Sequence, residues 1–413
     1  MADISETTTA SRKLTRAERK ELKAQRKAVK KANRKGLLQR ISNAVGGSDI
    51  YVLGMVLALS IFGIAMVFSA GYYQTINVSH PNPFFYLYRQ GFFVLTGLVL
   101  MAMLANFDYH YYVWLGPLAA VLSIGLLILV LFIGENVNGA VRWIDLKIFR
   151  FTPSELSKLL MIIFTSSFLI RDPSNIRTVK GLGILALVMG IHFVLIVRQP
   201  NLSTAIVIVM IMIAIMIVAG LHWFFLIFPA AAAVGGYFYI ITFKTPYHWY
   251  QRLTSFVDPF ADRQGDGYQV SQGLIALGNG GLKGLGFGKS IAKNMYLPEP
   301  QNDFILAILG EELGFIGFLV LMAAYIFLIF RLMMIALNAK DRLGFYLATG
   351  VAVMLGLQVV INVAVVTSSM PATGITLPFI SYGGTSIWSF MMVMGIALNV
   401  SKRREPVGRK RAK

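Results

Sequence analysis

Acidic side chains gather where a polar loop meets a long apolar stretch in the second half of the chain. Asp303 ends the polar segment Tyr296-Leu-Pro-Glu-Pro-Gln-Asn-Asp303, and Glu311 and Glu312 follow about two helical turns later. A carboxylate costs free energy in hydrocarbon, so acidic residues at such places are candidates for a functional site. Asp303 could act as a general base, because partial desolvation at the mouth of an apolar helix would raise its pKa. Glu311 and Glu312 could line a cavity or pair with buried donors, and we favour pairing.

Basic residues elsewhere could hold an anionic substrate beside Asp303. Arg142 and Lys158 stand on either side of a predicted helix start at Pro153. Glu155 and Lys158 are three residues apart, so a helix would place them on one face, where they could simply neutralise each other. Arg89 could be a third cation, or an interfacial arginine whose side chain reaches the membrane surface. Cations beside a carboxylate would suit a phosphorylated lipid.

Glycines crowd the loop before Tyr296, between Gly278 and Gly288, and Lys289-Ser290 follow them. A Walker A pattern needs a glycine where Lys283 stands, so this motif is excluded. The loop amides and the lysines at 283, 289 and 293 could still contact phosphate oxygens. The alternative, which we favour for each single glycine, is a turn between short interfacial helices.

Composition assigns these residues to a membrane protein. Of the 413 residues 56% are hydrophobic and only 14% are charged. Repeated apolar runs reach the length of about 20 residues that a spanning helix needs, and they lack the alternation of a β-barrel. We therefore predict an all-α polytopic membrane protein with ten transmembrane helices. The predicted spans are 51–70, 88–107, 111–133, 156–170, 183–198, 202–220, 223–243, 304–330, 344–366 and 384–401.

Cysteine and histidine usage limits the chemistry. The chain has no cysteine, which excludes disulfides, thiolate metal sites and cysteine nucleophiles. Its five histidines show no spacing typical of metal ligands, so no protein metal site is predicted.

Basic residues predict the orientation. The first 50 residues and the tail from Lys402 hold thirteen and seven of the 38 lysines and arginines, so the positive-inside rule places both termini in the cytoplasm. Three regions follow: a basic N-terminal tail over 1–50, predicted to be disordered, a single membrane domain over 51–402, and a basic C-terminal tail over 403–413. The large loop over about 244–302, between the seventh and eighth spans, is then extracytoplasmic. Asp303 faces outward, where no ATP is available, so a substrate must arrive already activated.

The basic tails suggest a partner of their own. Near the membrane surface each lysine or arginine contributes about 1 kcal/mol to the attraction of anionic lipids. Nucleic-acid binding is the alternative for a basic segment, but a polytopic membrane protein offers no obvious use for it. We therefore predict anionic lipids, and no nucleic acid, as partners of the tails.

Several motifs, in their order along the chain, resemble the SEDS family, the polytopic proteins of bacterial shape, elongation, division and sporulation. The similar segments are Gly139-Ala-Val-Arg142-Trp143-Ile, Pro153-Ser-Glu155-Leu-Ser-Lys158, Gln199-Pro-Asn-Leu-Ser-Thr204, Tyr296-Leu-Pro-Glu-Pro through Asp303-Phe-Ile, Gly310-Glu-Glu-Leu-Gly314 and Leu377-Pro-Phe-Ile-Ser381-Tyr-Gly-Gly384. The resemblance covers roughly 51–402. The segments from Tyr296 onward are more similar to the division branch than to the elongation branch, and the sporulation branch shares them.

The resemblance implies a peptidoglycan glycosyltransferase. Such proteins polymerise lipid II, a disaccharide-pentapeptide on undecaprenyl pyrophosphate, at the outer membrane face. By this resemblance Asp303 is the general base, and Arg142 and Lys158 stabilise the leaving pyrophosphate, helped by Arg89 or by a divalent cation such as Mg²⁺ or Mn²⁺. The predicted substrate-binding set is completed by residues of the similar segments, namely Glu155, Glu299 and Ser381.

The same resemblance implies partners and a location. A class B penicillin-binding protein, the transpeptidase that crosslinks the glycan, is the expected partner, together with other membrane proteins of the division machinery. The expected location is the bacterial cytoplasmic membrane at the division septum.

Two other functions would suit a ten-helix bundle. A flippase for lipid-linked precursors should carry polar groups at the membrane midplane and gates on both sides, whereas the ionisable groups here crowd the outer face. A non-catalytic division scaffold would not need Asp303 in its motif.

Overall fold

The computed structural model describes residues 47–76, 81–137, 139–147, 149–243, 250, 252–253, 256–261, 265 and 267–403. The chain forms two units, Met1–Ile50 and Tyr51–Lys413. Only the last four residues of the first unit are described, so the prediction for the N-terminal tail lies outside the described residues. All of the predicted C-terminal tail except its first residue lies outside them as well.

Long apolar runs form the helices of the second unit. In chain order they are α1 (Ile50–Ile76), α2 (Phe85–Asn106), α3 (Tyr112–Ile133), α4 (Pro153–Arg171), α5 (Val179–Val197), α6 (Leu202–Val218), α7 (Ile227–Phe243), α8 (Tyr268–Gly280), α9 (Ile305–Leu337), α10 (Arg342–Val366) and α11 (Gly384–Lys402). Short 3₁₀ turns precede α3 and α7, at Tyr109–Tyr111 and Trp223–Leu226.

The helices match the ten predicted spans. Within the described residues nine are long and apolar enough to cross a membrane, and α6 is apolar but has 17 residues. Seventeen residues are the lower limit of about 17–25 for a spanning helix, so α6 completes the set. The remaining helix, α8, lies in the predicted 244–302 loop. The prediction of an all-α polytopic membrane protein is confirmed, with a small sheet as an addition.

Differences from the predicted bounds have local causes. The helix α4 begins at Pro153, three residues before the predicted span, because proline suits the first helical turn. The helix α1 continues to Ile76, since its outer end carries glycine and tyrosine that lower hydropathy without breaking the helix. The helix α9 has 33 residues and exceeds the predicted span at its cytoplasmic end.

Long-range contacts agree with the predicted alternation of the spans. At one side Arg142, between α3 and α4, donates from Nε to the carbonyl of Gln199, between α5 and α6. At the other side His110, before α3, lies 3.0 Å from the carboxylate of Asp341, before α10. In each case an even number of predicted spans separates the two contacting residues along the chain, so both residues should lie on the same side of the membrane.

Three short antiparallel strands between α3 and α4 were not predicted. They are β1 (Glu135–Val137), β2 (Ala140–Asp145) and β3 (Arg150–Phe151), in the order β1-β2-β3. A turn at Gly139, with a φ of 77°, joins the first two. The sheet places Arg142 on its central strand.

The helix α9 is interrupted at Gly314, whose φ of 65° and ψ of −168° are not helical. The glycine-rich segment after α8 pairs with this kink through four backbone hydrogen bonds of 2.9–3.1 Å: Leu285 and Gly286 donate to the carbonyls of Glu311 and Glu312, and Phe315 and Ile316 donate to those of Gly281 and Leu282. These bonds satisfy polar groups that a kink frees, as membrane proteins require for irregular backbone.

Close backbone approach explains the glycines of this segment. An added Cβ at Gly284 would collide with the carbonyl of Glu312, and one at Gly280 would collide with that of Gly310. For these two positions the structure agrees with the packing interpretation of the glycine-rich loop.

The most buried spans are α4, α10 and α11, and α7 is the least buried. The first three therefore form the centre of the membrane domain. Two of them carry residues of the candidate site: Glu155 and Lys158 lie in α4, and Asn362, which contacts Asp303, lies in α10.

Candidate active site

Asp303 lies two residues before α9, at the predicted outer side, and its side chain is half-buried. Its backbone carbonyl accepts a hydrogen bond of 2.8 Å from Nδ2 of Asn362 in α10. The same amide donates to the carbonyl of Ile375, also at 2.8 Å. Asn362 thus holds Asp303 and the segment after α10 together.

The surroundings of Asp303 favour its neutral form more than water does. The pKa of this carboxyl is raised to about 6, with burial as the largest cause. The carboxylate of Glu299 adds to the rise, whereas the backbone amide of Asp303 and the guanidinium groups of Arg252 and Arg142 oppose it. A carboxyl with a pKa near 6 is still mainly ionised at neutral pH, and it is a stronger base than an ordinary aspartate.

Arg142 points from β2 towards the connection between α5 and α6. Its guanidinium donates to the carbonyl of Gln199 at 3.0 Å and to that of Pro200. Its pKa is lowered to about 10, mainly by burial and also by the nearby charge of Arg252, while Asp303 opposes the shift. Arg142 therefore stays charged at neutral pH beside Asp303.

Arg252 was not identified from the sequence. It donates from Nη1 to the carbonyl of Ala372 at 3.2 Å, and its charge acts on both Asp303 and Arg142. No local sequence signal separates Arg252 from the other basic residues of the 244–302 loop, because its approach to Asp303 depends on how that loop folds.

Glu299 is exposed and belongs to the turn that leads to Asp303. Its carboxylate accepts a hydrogen bond of 2.6 Å from the side chain of Asn302. Because it raises the pKa of Asp303, Glu299 lies near enough to influence a reaction there.

Glu155 and Lys158 form the pair that their spacing predicted. Their side chains lie 2.7 Å apart, and only 3% of Lys158 is exposed. The carbonyl of Glu155 accepts a hydrogen bond of 2.8 Å from Ser389 in α11. Among the described residues Oε2 of Glu155 is buried without a hydrogen-bond partner. The described contacts do not connect this pair to Asp303.

Arg89 belongs to a separate aromatic group at the outer end of α2. Its guanidinium lies 5.0 Å from the centre of the Phe85 ring and hydrogen-bonds to Tyr382. Tyr382 contacts the ring of Tyr86, whose hydroxyl accepts a hydrogen bond of 3.0 Å from Gln301. Through Gln301 this group adjoins the turn of Glu299 and Asp303.

Ser381 is buried and closes a turn before α11. Its hydroxyl accepts a hydrogen bond of 2.8 Å from the amide of Leu377, and its carbonyl accepts one of 3.2 Å from Gln90. These contacts hold the loop in shape, so the structure gives Ser381 a conformational role.

Glu311 and Glu312 are fully buried and paired, as we favoured. Glu312 forms an ion pair of 2.8 Å with Lys293 and accepts a hydrogen bond of 2.6 Å from Ser69 in α1. Glu311 accepts hydrogen bonds from the side chain of Ser290 and, at 3.1 Å, from the amide of Ala292. Lys293, predicted as a candidate for phosphate contact, is therefore engaged in this network.

No group of three or more histidine, aspartate or glutamate side chains in the described part of the chain is arranged to hold a metal ion. A metal ion at this site would have only the carboxylates of Asp303 and Glu299 near it among the described residues. The charges of Arg142 and Arg252 also act on Asp303.

The long apolar helices identify the chain as a polytopic membrane protein, and its candidate site lies at one membrane face. Residues 50–406 match the family described as "Cell cycle protein". The chain belongs to this SEDS family, as its motifs predicted.

Three relatives illustrate the similarity. The probable peptidoglycan glycosyltransferase FtsW of Geobacter sp. (strain M18) is 36% identical over 362 residues, which cover 87% of this chain and 98% of that protein. Stage V sporulation protein E of Bacillus subtilis (strain 168) is 38% identical over 357 residues, covering 86% and 97%. A chain of the solved structure "Structural coordination of polymerization and crosslinking by a peptidoglycan synthase complex" is 27% identical, with a TM-score of 0.72 over 86% of this chain and 98% of that chain.

Proposed function

We propose that this protein is a peptidoglycan glycosyltransferase that polymerises lipid II at the outer face of the cytoplasmic membrane during cell division. The observation that carries the proposal is the half-buried Asp303, with a pKa near 6, beside Arg142 and Arg252 at the outer end of the bundle. The family and the names of the similar proteins support the same reaction class.

In this mechanism Asp303 takes the proton of the 4-hydroxyl of the acceptor N-acetylglucosamine. The hydroxyl oxygen attacks the anomeric carbon of the donor N-acetylmuramic acid with inversion. The bond from that carbon to the pyrophosphate oxygen breaks, and its electron pair leaves with undecaprenyl pyrophosphate. One base suffices, because pyrophosphate can leave without being protonated.

The leaving pyrophosphate needs positive charge as the bond breaks. Arg142 and Arg252 supply it nearest to Asp303. Lys158 and Arg89 are further candidates for the same anion, at the α4 pair and at the aromatic group. A divalent cation, Mg²⁺ or Mn²⁺, could arrive with the pyrophosphate, where it would neutralise phosphate oxygens.

Other groups would position the sugars. The buried, unpartnered Oε2 of Glu155 can accept a hydrogen bond from a substrate hydroxyl or amide. Glu299 adds to the rise in the Asp303 pKa that burial produces, and it can orient the acceptor hydroxyl. The turn closed by Ser381 would form part of the wall.

The proposed partner is a class B penicillin-binding protein at the septum, alongside other membrane proteins of the division machinery. The similarity to a chain of a peptidoglycan synthase complex supports such an assembly. Crosslinking by the partner would then follow polymerisation at the same membrane face.

The test is glycan formation from purified lipid II, with and without a class B penicillin-binding protein and Mg²⁺. General bases contribute about 10²–10⁴-fold, so Asp303→Asn should lose activity by that factor. Asp258→Asn is the control, because Asp258 is another carboxylate of the outer loop and caps a turn through the amides of Phe260 and Ala261. Near-full activity of a folded Asp303→Asn protein would refute the assignment of the base. No polymer from the wild-type chain under any condition would favour transport or scaffolding instead.

A further inference from the structure

A cavity of about 340 Å³ opens on the cytoplasmic side, at the membrane face opposite to Asp303. It lies between the inner ends of α4, α6 and α10. Its walls include Leu169, Ile176, Arg177, Ala219, Arg342 and Tyr346. Small-molecule sites span about 300–1,000 Å³, so this volume suits a compact polar group with a short apolar attachment.

Two guanidinium groups line this cavity without carboxylate partners. Among the described residues neither Arg177 nor Arg342 forms an ion pair or a side-chain hydrogen bond. The acids next to them are engaged elsewhere: Asp172 accepts hydrogen bonds from the amide and hydroxyl of Ser174, and Asp341 accepts one from the first turn of α10. Neither acid lines the cavity, so the two charged side chains on its wall are both positive.

Tyr346 adds a polar atom to the wall of the cavity. Only 6% of the residue is exposed, and its hydroxyl makes no hydrogen bond with the described residues. This hydroxyl is not among the fully buried unpartnered atoms, so it is open to the cavity and free to donate to a ligand there. The apolar wall of Leu169, Ile176 and Ala219 lies beside it.

We propose that this cavity binds the phosphate of an anionic phospholipid headgroup from the cytoplasmic leaflet. Arg177 and Arg342 would donate charge-assisted hydrogen bonds to the phosphate oxygens. The Tyr346 hydroxyl would donate another, and the apolar wall would contact the glycerol and the first methylene groups. A basic pocket between membrane helices on the cytoplasmic side is a suitable place for an anionic headgroup. This site is independent of the proposed reaction at Asp303.

Binding would join three helices at their inner ends. The cavity lies where α4, α6 and α10 meet, and two of these helices are among the most buried in the domain. A bound headgroup would therefore stabilise the folded bundle, by an amount that rises with the logarithm of its concentration over its Kd.

The experiment titrates the delipidated full-length protein in detergent with phosphatidylglycerol and counts retained lipid by native mass spectrometry. Arg177→Ala with Arg342→Ala should weaken binding about 30-fold, since each lost hydrogen bond to the phosphate contributes about 1 kcal/mol. The matched control is Lys180→Ala with Lys340→Ala, which removes two charges from the same side outside the cavity; all four residues are exposed. We expect the control to change binding less than about threefold, because these lysines do not line the cavity and would act on the headgroup only through screened long-range attraction.

Equal weakening in both double variants would overturn the proposal, because it would indicate a diffuse charge effect. Unchanged binding in the arginine variant would overturn it as well. Tyr346→Phe deletes only a hydroxyl and should fold normally, and the loss of one hydrogen bond should weaken binding about 2–10-fold. If the double arginine variant does not fold, Tyr346→Phe decides the matter, and wild-type affinity in it would contradict the proposal.

A final arm separates the two sources of phosphate. Inorganic phosphate at matched ionic strength should not displace phosphatidylglycerol at equal concentration, because it lacks the apolar contacts. Displacement at equal concentration would identify a site for free phosphate and overturn the lipid assignment.

Discussion

At the scale of single residues, Asp303 is held in surroundings that oppose its charge and beside cations that favour it. Burial and Glu299 raise its pKa, and Arg252 and Arg142 lower it, with a result of about 6. An ordinary aspartate has a pKa near 3.9. The difference makes Asp303 a better proton acceptor at neutral pH and ties activity to pH in a measurable range.

Polymerisation should depend on the ionised form of Asp303. Because its pKa is raised, we expect kcat/KM to be nearly constant above pH 7 and to fall about tenfold per pH unit below a midpoint near 6. Initial rates of glycan formation between pH 5 and pH 8 would measure this. A midpoint near pH 4, or a flat profile, would contradict the assignment.

The same profile tests the role of Arg142. Since Arg142 lowers the pKa of Asp303, Arg142→Gln should move the midpoint to higher pH, and Arg142→Lys, which keeps the charge, should leave it nearly unchanged. Arg150→Gln is the control on the neighbouring strand, because Arg150 is exposed and pairs with Glu135. An equal shift of the pH midpoint with Arg150→Gln would mean that disturbing the sheet, rather than removing the charge of Arg142, moves the midpoint.

At the scale of elements, the kink in α9 depends on glycine. Gly314 has backbone angles that are essentially restricted to glycine, and an added Cβ would collide with the backbone of Gly284 and Leu282. We expect Gly314→Ala to lower the free energy of unfolding by at least about 2 kcal/mol. Thermal unfolding in detergent would measure the change.

Gly278→Ala is the matched control for the kink. Gly278 lies in the helix α8 with open space around its Cα, so alanine should be neutral or stabilise by up to about 1 kcal/mol. Equal loss of stability in both variants would mean that the loop tolerates no added methyl group, independent of the kink.

The buried ion pair of Lys293 and Glu312 ties the loop that ends at Asp303 to α1. Lys293 also donates to Ser69 at 3.0 Å. Removing one partner of a buried pair costs about 3–5 kcal/mol, because the other charge is left uncompensated. We therefore expect Lys293→Met to lower the unfolding temperature strongly, and Lys293→Met combined with Glu312→Gln to lower it less.

Lys289→Met provides the comparison for this pair. Lys289 is an exposed lysine of the same loop, so its replacement should change stability by less than about 0.5 kcal/mol. If the double variant were less stable than Lys293→Met alone, the instability of Lys293→Met would not come from an uncompensated charge on Glu312.

At the scale of the whole molecule, the topology can be tested because the chain has no cysteine. Leu146, in the sheet region, is 48% exposed and lies on the predicted outer side, and Val179, at the start of α5, is 91% exposed on the predicted inner side. An impermeant maleimide added to intact cells should label Leu146→Cys and not Val179→Cys, with both labelled after lysis. The reverse pattern would invert the topology and remove the external site.

The sequence predicted the ten spans because an apolar run long enough to cross a membrane is a local property. The pairing of Glu155 with Lys158 was also predictable, since helix geometry brings residues three apart together. The strands β1–β3 and the pairing at Gly314 could not be read in this way. They depend on hydrogen bonds between distant segments, and Arg252 approaches Asp303 only once its loop has folded.

The double hydrogen bond of Asn362 has a mechanical consequence. The side-chain amide of Asn362 donates to the carbonyls of Asp303 and Ile375, whereas Arg142 donates to the carbonyl of Gln199, between two other helices. A displacement of the outer end of α10 would therefore move Asp303 without moving Arg142. The distance between Asp303 and Arg142 thus depends on the position of α10.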